Sequence, residues 1–539
     1  MGDPAASVYG RFAATAAAHG EKSFLAVLPE TADAYRIVPG EIPYADALAE
    51  IERLQRAYRA AGFGPGHRVG LLLENRPSFF LHWFALNALG ASVVPINPDL
   101  RSAEIEYIIG HSEMVAAVAI AARQAEIAVA ARAVGRVIAV RGPADDPAPV
   151  AVPASGTMSG RDQEAALLYT SGTTGRPKGC VLTNAYFLEA GEWYARRGGL
   201  VALNEGVERM ITPLPLFHMN AMAYSAMAMV VTGGCLMVVD RFHPQTWWQS
   251  VRQSRASVLH YLGVMPAMLM SLPASPDDRA HKIRFGFGAG VDRRLHAPFE
   301  ERFGFPLIEA WAMTETGAGA VVIAHEEPRH IGANCFGRPA PEVETLILRD
   351  DGTRAGIDEP GELLVRHAGA DPRLGFFRDY LKDTEATAAA WEGGWFHTGD
   401  VVRQGADGSM YFVDRKKNVI RRSGENISAV EVESVLAQHP LVKQVAVAAT
   451  PDSVRGDEVV ALIVPQEAGE GTREAADELV QWCLTRLAYY KAPGWVAFVE
   501  ALPLTGTQKI QRGALKDLVG EIMAQQRSFD TRALKKRAP

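Results

Sequence analysis

Short apolar runs alternate with helix-period segments along the first part of the chain. Arg68-Val-Gly-Leu-Leu-Leu, Ala91-Ser-Val-Val-Pro-Ile and Val115-Ala-Ala-Val-Ala-Ile read as buried strands, while 79–89 and 102–109 carry the spacing of helices. Strand and helix in rotation predict an α/β domain. A Pro-rich polar stretch, 142–160, looks like a subdomain junction, and Glu164-Ala-Ala-Leu-Leu-Tyr-Thr resumes as a buried strand. From Gly337 the texture becomes short strands with turn signals, including Gly361-Glu-Leu-Leu-Val-Arg and the Asp407-Gly408 turn, which predicts a β-rich subdomain.

Beyond the charged segment Asp414-Arg-Lys-Lys-Asn418, the pattern gives a helix over 429–438, strands over 442–449 and 458–465, and a helix over 473–488. That is a compact α+β unit of ordinary domain size. The predicted organisation is therefore a large N-terminal domain, 1–414, a hinge at 415–418 and a small C-terminal domain, 419–539. The tail Leu534-Lys-Lys-Arg-Ala-Pro539 reads as solvated.

One segment imitates a membrane span. Residues 213–239 contain no Asp, Glu, Lys or Arg, but Gly233-Gly234 interrupts them. A buried helix over 221–230, a glycine turn and a buried strand over 235–239 account for the run, and no transmembrane segment is expected.

At 539 residues the chain exceeds the size at which a single core stops growing. Hydrophobic residues at 48% and charged residues at 22% describe an ordinary globular protein. Lys and Arg number 55 against 62 Asp and Glu, and a net charge of −7 provides no basic field for nucleic acid. Cys180, Cys235, Cys335 and Cys483 are scattered, with no C-x-x-C pair, so a reducing cytoplasm without structural zinc is expected. The N-terminus lacks the basic start and apolar core of a signal peptide.

The strongest chemical signal is Leu168-Tyr-Thr-Ser-Gly-Thr-Thr-Gly-Arg-Pro-Lys-Gly179, directly after a buried strand. Glycines let backbone N–H groups turn inward, hydroxyls add donors and Lys178 adds a positive charge, which makes an anion-binding nest for phosphate. It is not G-x-x-x-x-G-K-[ST], because Pro177 precedes Lys178 and Gly179 follows it.

With this loop the sequence resembles the adenylate-forming superfamily of acyl-CoA synthetases, non-ribosomal peptide adenylation domains and luciferases. Further family motifs follow in order: Pro215-Leu-Phe-His218, Gly288-Ala-Gly290, Trp311-Ala-Met-Thr-Glu315, Thr398-Gly-Asp400, Asp414-Arg-Lys-Lys417 and Lys509. The resemblance implies that ATP, Mg²⁺ and a carboxylic acid meet in one cleft and that coenzyme A is the thiol acceptor. Lys178, Thr170, Ser171, Gly172, Thr173 and Thr174 would hold the departing phosphates; Thr314 and Glu315 would manage the α-phosphate and the metal. Trp311, Glu309, Ala310 and Gly288, Ala289 and Gly290 would enclose adenine, and Asp400 and Arg415 the ribose. His218 would orient the acyl carboxylate beside a pocket formed by Met219, Asn220 and Ala223. Lys509 would act catalytically in adenylation, Lys417 as the hinge, and Gly424 would allow close passage of the pantetheine arm, with nearby arginines meeting coenzyme A phosphates. His260, His281, His325 and His330 match no motif and are expected to be structural or exposed.

The sequence departs from the family at two places. Tyr-Gly is usual where this chain has Trp311-Ala312, and a glycine is usual where it has Gln508. Within the superfamily the chain is most similar to crotonobetaine/carnitine–CoA ligases, notably in Phe217-His-Met-Asn and Thr507-Gln-Lys-Ile. The pocket residues carry no charge, which favours a neutral, small-to-medium acid. Two other readings remain open: a stand-alone adenylation enzyme that loads the phosphopantetheine of a carrier protein, and an inactive nucleotide sensor. No attached carrier domain is expected, and oligomeric state is left open.

Overall fold

The computed structural model describes residues 6–158, 160–170, 176–415, 419–467, 471–503 and 512–537. It is a mixed α/β structure. The described residues form two compact units, one drawn from 1–98, 109–168 and 179–414, the other from 99–108, 169–178 and 415–539.

The first unit is organised around two sheets. In the seven-stranded sheet, Arg68–Leu72 lies between Ser92–Pro95 and Ala116–Ala119, and Ser92–Pro95 pairs with Glu164–Thr170, all in parallel. Ser92–Pro95 and Ala116–Ala119 are buried at every residue, as strands covered on both faces must be. Residues 142–160 connect Ala139–Arg141 to Glu164–Thr170, two strands of this one sheet. The expected subdomain junction is therefore an internal connection: composition marked the loop, but strand pairing is a tertiary property that composition does not carry.

The larger sheet has a parallel block in the spatial order Leu307–Trp311, Phe285–Ala289, Val258–Leu262, Arg209–Thr212, Cys235–Val238 and Ser23–Val27. The β-rich part continues the same sheet antiparallel through Val322–Ile323 and Cys335–Pro339 to Met410–Arg415, Phe396–Gln404, Gly361–His367 and Val343–Leu348.

The uncharged stretch 213–239 lies inside the first unit. A π-turn, Asn220–Ser225, precedes the helix Ala226–Thr232, Gly233 closes that helix at φ 65°, and the strand Cys235–Val238 follows. The helix expected over 221–230 is thus divided: its first residues form the wider turn and the regular part ends two residues later. No helix among the described residues is long and apolar enough to cross a membrane.

In the second unit the helices Ala429–Leu436 and Arg473–Leu484 begin at Ser428 and Thr472, whose side chains accept the N–H of Glu431 and Ala475. The strands are Val442–Asp452 and Gly456–Pro465, longer than the pattern showed because their ends pair across a turn. One expectation fails: Lys535 of the basic tail is buried and ion-paired with Glu458, which also accepts from Arg422 at 2.8 Å. A run of charges in sequence does not reveal a buried acid waiting for one of them.

Candidate active site

The family motifs of the first unit collect at one edge of the parallel block. Arg209–Thr212 leads into Pro215-Leu-Phe-His218, Phe285–Ala289 ends in Gly288-Ala-Gly290, and Leu307–Trp311 ends at Trp311 with Thr314 and Glu315 just beyond. These are the carboxyl ends of neighbouring parallel strands, where open α/β sheets place their ligands.

Packing explains the glycines there. A Cβ on Gly288 would stand 2.2 Å from the Tyr261 carbonyl oxygen of the adjacent strand, so only glycine allows this approach. Glu309, on the next strand, accepts the Gly290 N–H at 2.9 Å, the Val291 N–H at 3.1 Å and the Tyr261 hydroxyl at 2.8 Å. Burial raises the Glu309 carboxyl above the usual range, opposed by those donors. Its visible work is to hold the turn after Phe285–Ala289.

Trp311 and Asp400 meet directly. The indole N–H donates to Asp400 Oδ2 at 2.9 Å, and the two residues are 6% and 2% exposed. The Thr398 hydroxyl accepts the Asp400 N–H at 3.0 Å and itself donates to the Leu363 carbonyl, which fixes the backbone before the carboxylate within the strand Phe396–Gln404, at a register shift against Gly361–His367. The ring expected to serve as a flat face thus also fixes the acid expected to meet ribose.

The segment after Trp311 is tied down by phenols. Tyr186 donates to the Thr314 carbonyl at 2.9 Å, Tyr224 to the Gly317 carbonyl at 2.8 Å, and Tyr380 to Glu315 Oε1 at 2.9 Å. Burial, with Glu315 beside it, pushes the Tyr380 phenol far up, so it stays protonated and donates. Among the described residues no other hydrogen bond reaches the Glu315 carboxylate, and no three His, Cys, Asp or Glu side chains converge as a metal site. One carboxylate suits Mg²⁺ when phosphate oxygens and water complete its shell.

His218 is half-buried with its ring against Phe217. Met219 and Ala223 are buried in the core, whereas Asn220 is half-buried at the head of the π-turn. His260, to which the sequence assigned nothing, is fully buried and contacts Asn220, Ser225 and Tyr194. No local signal could have found that contact, because residues 220 and 260 are joined only by the fold. His281, His325 and His330 are held by the Phe303 carbonyl, the Ile323 carbonyl and Asp407.

Thr170 ends the strand Glu164–Thr170 and Lys178 begins Lys178–Thr183, both half-buried. Ser171, Gly172, Thr173, Thr174, Lys417 and Lys509 lie outside the described residues, and Arg415 is described only as the end of Met410–Arg415. Gly424 (φ 90°) follows Ser423 (φ 51°) in the two-residue hairpin between Val419–Arg422 and Glu425–Ser428. Turn geometry alone requires glycine there. Of the neighbouring arginines, Arg422 is buried against Glu458 and is not free to meet a phosphate of coenzyme A.

The turn held by Glu309, the Trp311–Asp400 pair and the phenol-anchored segment 314–317 occur in a chain that belongs to the AMP-binding enzyme family. The family model matches residues 15–373, and that of the AMP-binding enzyme C-terminal domain matches 431–509. Among individual proteins, the chain is 32% identical over 493 residues to the crotonobetaine/carnitine–CoA ligase of Salmonella choleraesuis, covering 88% of this chain and 93% of the relative. The enzyme of that name from Salmonella typhimurium is 31% identical over 497 residues, with the same coverage. The fold is similar to that of o-succinylbenzoate CoA synthetase from Bacillus subtilis, at TM-score 0.79 and 24% identity over 94% of this chain and 98% of that one. A malonyl-CoA ligase bound to methylmalonyl-CoA and AMP is similar at TM-score 0.72 and 27% identity, covering 90% of this chain and 97% of that one.

Proposed function

We propose that this enzyme is an ATP-dependent acid–CoA ligase. A carboxylate oxygen of the acid attacks the α-phosphorus of ATP, the bond to pyrophosphate breaks, and an acyl-adenylate forms. The thiol of coenzyme A then loses its proton and attacks the acyl carbon, and AMP leaves with the bonding pair. The observation that carries the reading is the hydrogen bond from Trp311, at the end of its strand, to Asp400, together with the turn that Glu309 holds. The ligases named above support coenzyme A as acceptor over a carrier protein.

In this reading Asp400 accepts from ribose, and Trp311, Ala310 and Gly288 to Gly290 enclose adenine. Thr170, Ser171, Gly172, Thr173, Thr174 and Lys178 meet the leaving phosphates. Glu315 holds Mg²⁺, which neutralises charge on the phosphates when bound. His218 orients the acid carboxylate, and Lys509 places a positive charge between carboxylate and α-phosphate. Arg415 assists at the ribose, and Lys417 is the hinge between a large domain, 1–414, and a small one, 419–539, for the two half-reactions. A cytoplasmic location fits the four buried free cysteines.

Lys509→Ala tests the division of labour. Acid-dependent pyrophosphate release should fall about 10²–10³-fold, the cost of removing one preorganised charge, while thioester formation from supplied acyl-adenylate persists. Equal loss of both halves refutes the assignment. A pyrophosphate-release screen over carboxylic acids, with coenzyme A or a phosphopantetheinylated carrier as acceptor, decides the thiol: turnover with the carrier alone overturns the ligase reading.

A further inference from the structure

Asn220 is the single polar side chain between His218 and Tyr224, and its neighbours Met219, Ala221, Met222 and Ala223 are buried and apolar. Its Oδ1 lies 3.0 Å from His260 Nδ1, and Ser225 Oγ lies 2.8 Å from the same nitrogen. On the far side of the ring, His260 Nε2 lies 3.1 Å from the Tyr194 hydroxyl.

Hydrogen-bond accounting fixes the protons in this chain. The buried Tyr194 hydroxyl has no other partner among the described residues, so its hydrogen is bonded only if Tyr194 donates to Nε2. The imidazole then carries its proton on Nδ1. That N–H faces two acceptors, Ser225 Oγ at 2.8 Å and Asn220 Oδ1 at 3.0 Å, because Ser225 Oγ spends its own hydrogen on the Asn220 backbone carbonyl at 3.3 Å, and an amide nitrogen in place of Oδ1 would face it N–H to N–H. Burial, which lowers His260 to about 3, keeps the ring neutral and the direction of the chain constant.

With Oδ1 committed to His260, the amide cannot flip without setting an N–H against an N–H. Its NH₂ end is therefore the outward end of a half-buried side chain, and no described residue accepts from it. The π-turn that starts at Asn220 is a form of helix common at functional sites.

We propose that Asn220 selects the acid by donating to a neutral oxygen acceptor on its acyl chain, so that the substrate class is an acid bearing a carbonyl or ether oxygen beyond the carboxylate rather than a plain alkyl acid. Tyr194 and His260 are positioning residues that hold the amide in this sense. The inference rests on the ligase reading and on the acyl group lying beside Met219, Asn220 and Ala223.

The test is acid-dependent pyrophosphate release with shape-matched pairs, oxo acids against alkyl acids of equal length, with the oxygen stepped along the chain. At one position or more the oxo acid should win by about tenfold in kcat/KM, the scale of one donor left unpaired. Asn220→Leu should bring the oxo acid down to its alkyl twin. Asn220→Asp keeps the shape and the bond to His260 but presents an acceptor, and should reverse the preference; a thermal melt of each variant identifies one that fails to fold. Equal turnover of every pair by the unsubstituted enzyme, or a preference that survives in both folded variants, overturns the inference and leaves the ligase reading intact. Absence of pyrophosphate release with any acid overturns both.

Discussion

Trp311 presents two features through one side chain: a ring at the end of Leu307–Trp311 and an N–H on Asp400. Trp311→Phe keeps the ring and deletes the donor. A hydrogen bond to a charged group is worth about 1.5–3 kcal/mol, so if Asp400 holds ribose as proposed, kcat/KM for ATP should fall at least tenfold, carried mainly by KM. Steady-state kinetics at saturating acid check this; an unaltered KM for ATP would separate Trp311 from ribose binding. At this scale the sequence singled out Asp400 and Glu315 by their motifs, and the structure adds their partners, Trp311 and Tyr380. The sequence was silent where a role depends on a contact distant in sequence, as with His260 on Asn220 and Tyr380 on Glu315.

Among the elements, the buried strands and the helices packed on them are pinned by neutral histidines. Tyr58 donates to His82 Nδ1 at 2.7 Å while His82 Nε2 faces the Pro143 carbonyl at 3.0 Å, and His260 joins Tyr194 to the π-turn. Burial lowers His82 to about 4 and His260 to about 3 from an ordinary 6.5. The unfolded chain therefore binds protons that the folded chain refuses. Their stabilising effect is complete above pH 6.5 and is lost as pH falls, toward 4 for His82 and toward 3 for His260, by roughly 1.4 kcal/mol per pH unit for each histidine. Thermal melts should show this slope, and His260→Gln should reduce it; equal slopes in both proteins would show that His260 is not held neutral. Strand and helix existence was legible because burial on both faces forces continuous apolar runs, as in Ser92–Pro95 and Cys235–Val238. The π-turn was not, since Asn220-Ala-Met-Ala-Tyr-Ser has the same apolar pattern as a helix.

At the scale of the whole molecule, each unit has its own apolar core: Phe12, Phe24, Trp83, Phe187 and Met227 belong to one, Ile427, Val447, Ile463 and Leu479 to the other. Separate cores predict more than one calorimetric transition. Glu458 bridges Arg422 and Lys535 in the second unit, and Glu458→Gln leaves the buried Arg422 guanidinium facing a neutral amide while Lys535, already lowered to about 7 by burial and by Arg422, loses the acid that favours its charged form. The expected cost is about 3–5 kcal/mol, visible as a fall of roughly 10 °C or more in one transition only. A uniform shift of the whole thermogram would mean that the units unfold together.

The sequence by itself determined the α/β class, many of the strands and helices, and the resemblance to adenylate-forming enzymes, because apolar periodicity and short motifs are local properties written in consecutive residues. Only the tertiary structure decided that the strands flanking 142–160 belong to one sheet, that Lys535 is buried rather than solvated, that Gly288 is required by the Tyr261 carbonyl, and that Trp311 and Asn220 are held by Asp400 and His260. Each of these depends on which strand lies beside which, and that is set by packing among residues far apart in the chain.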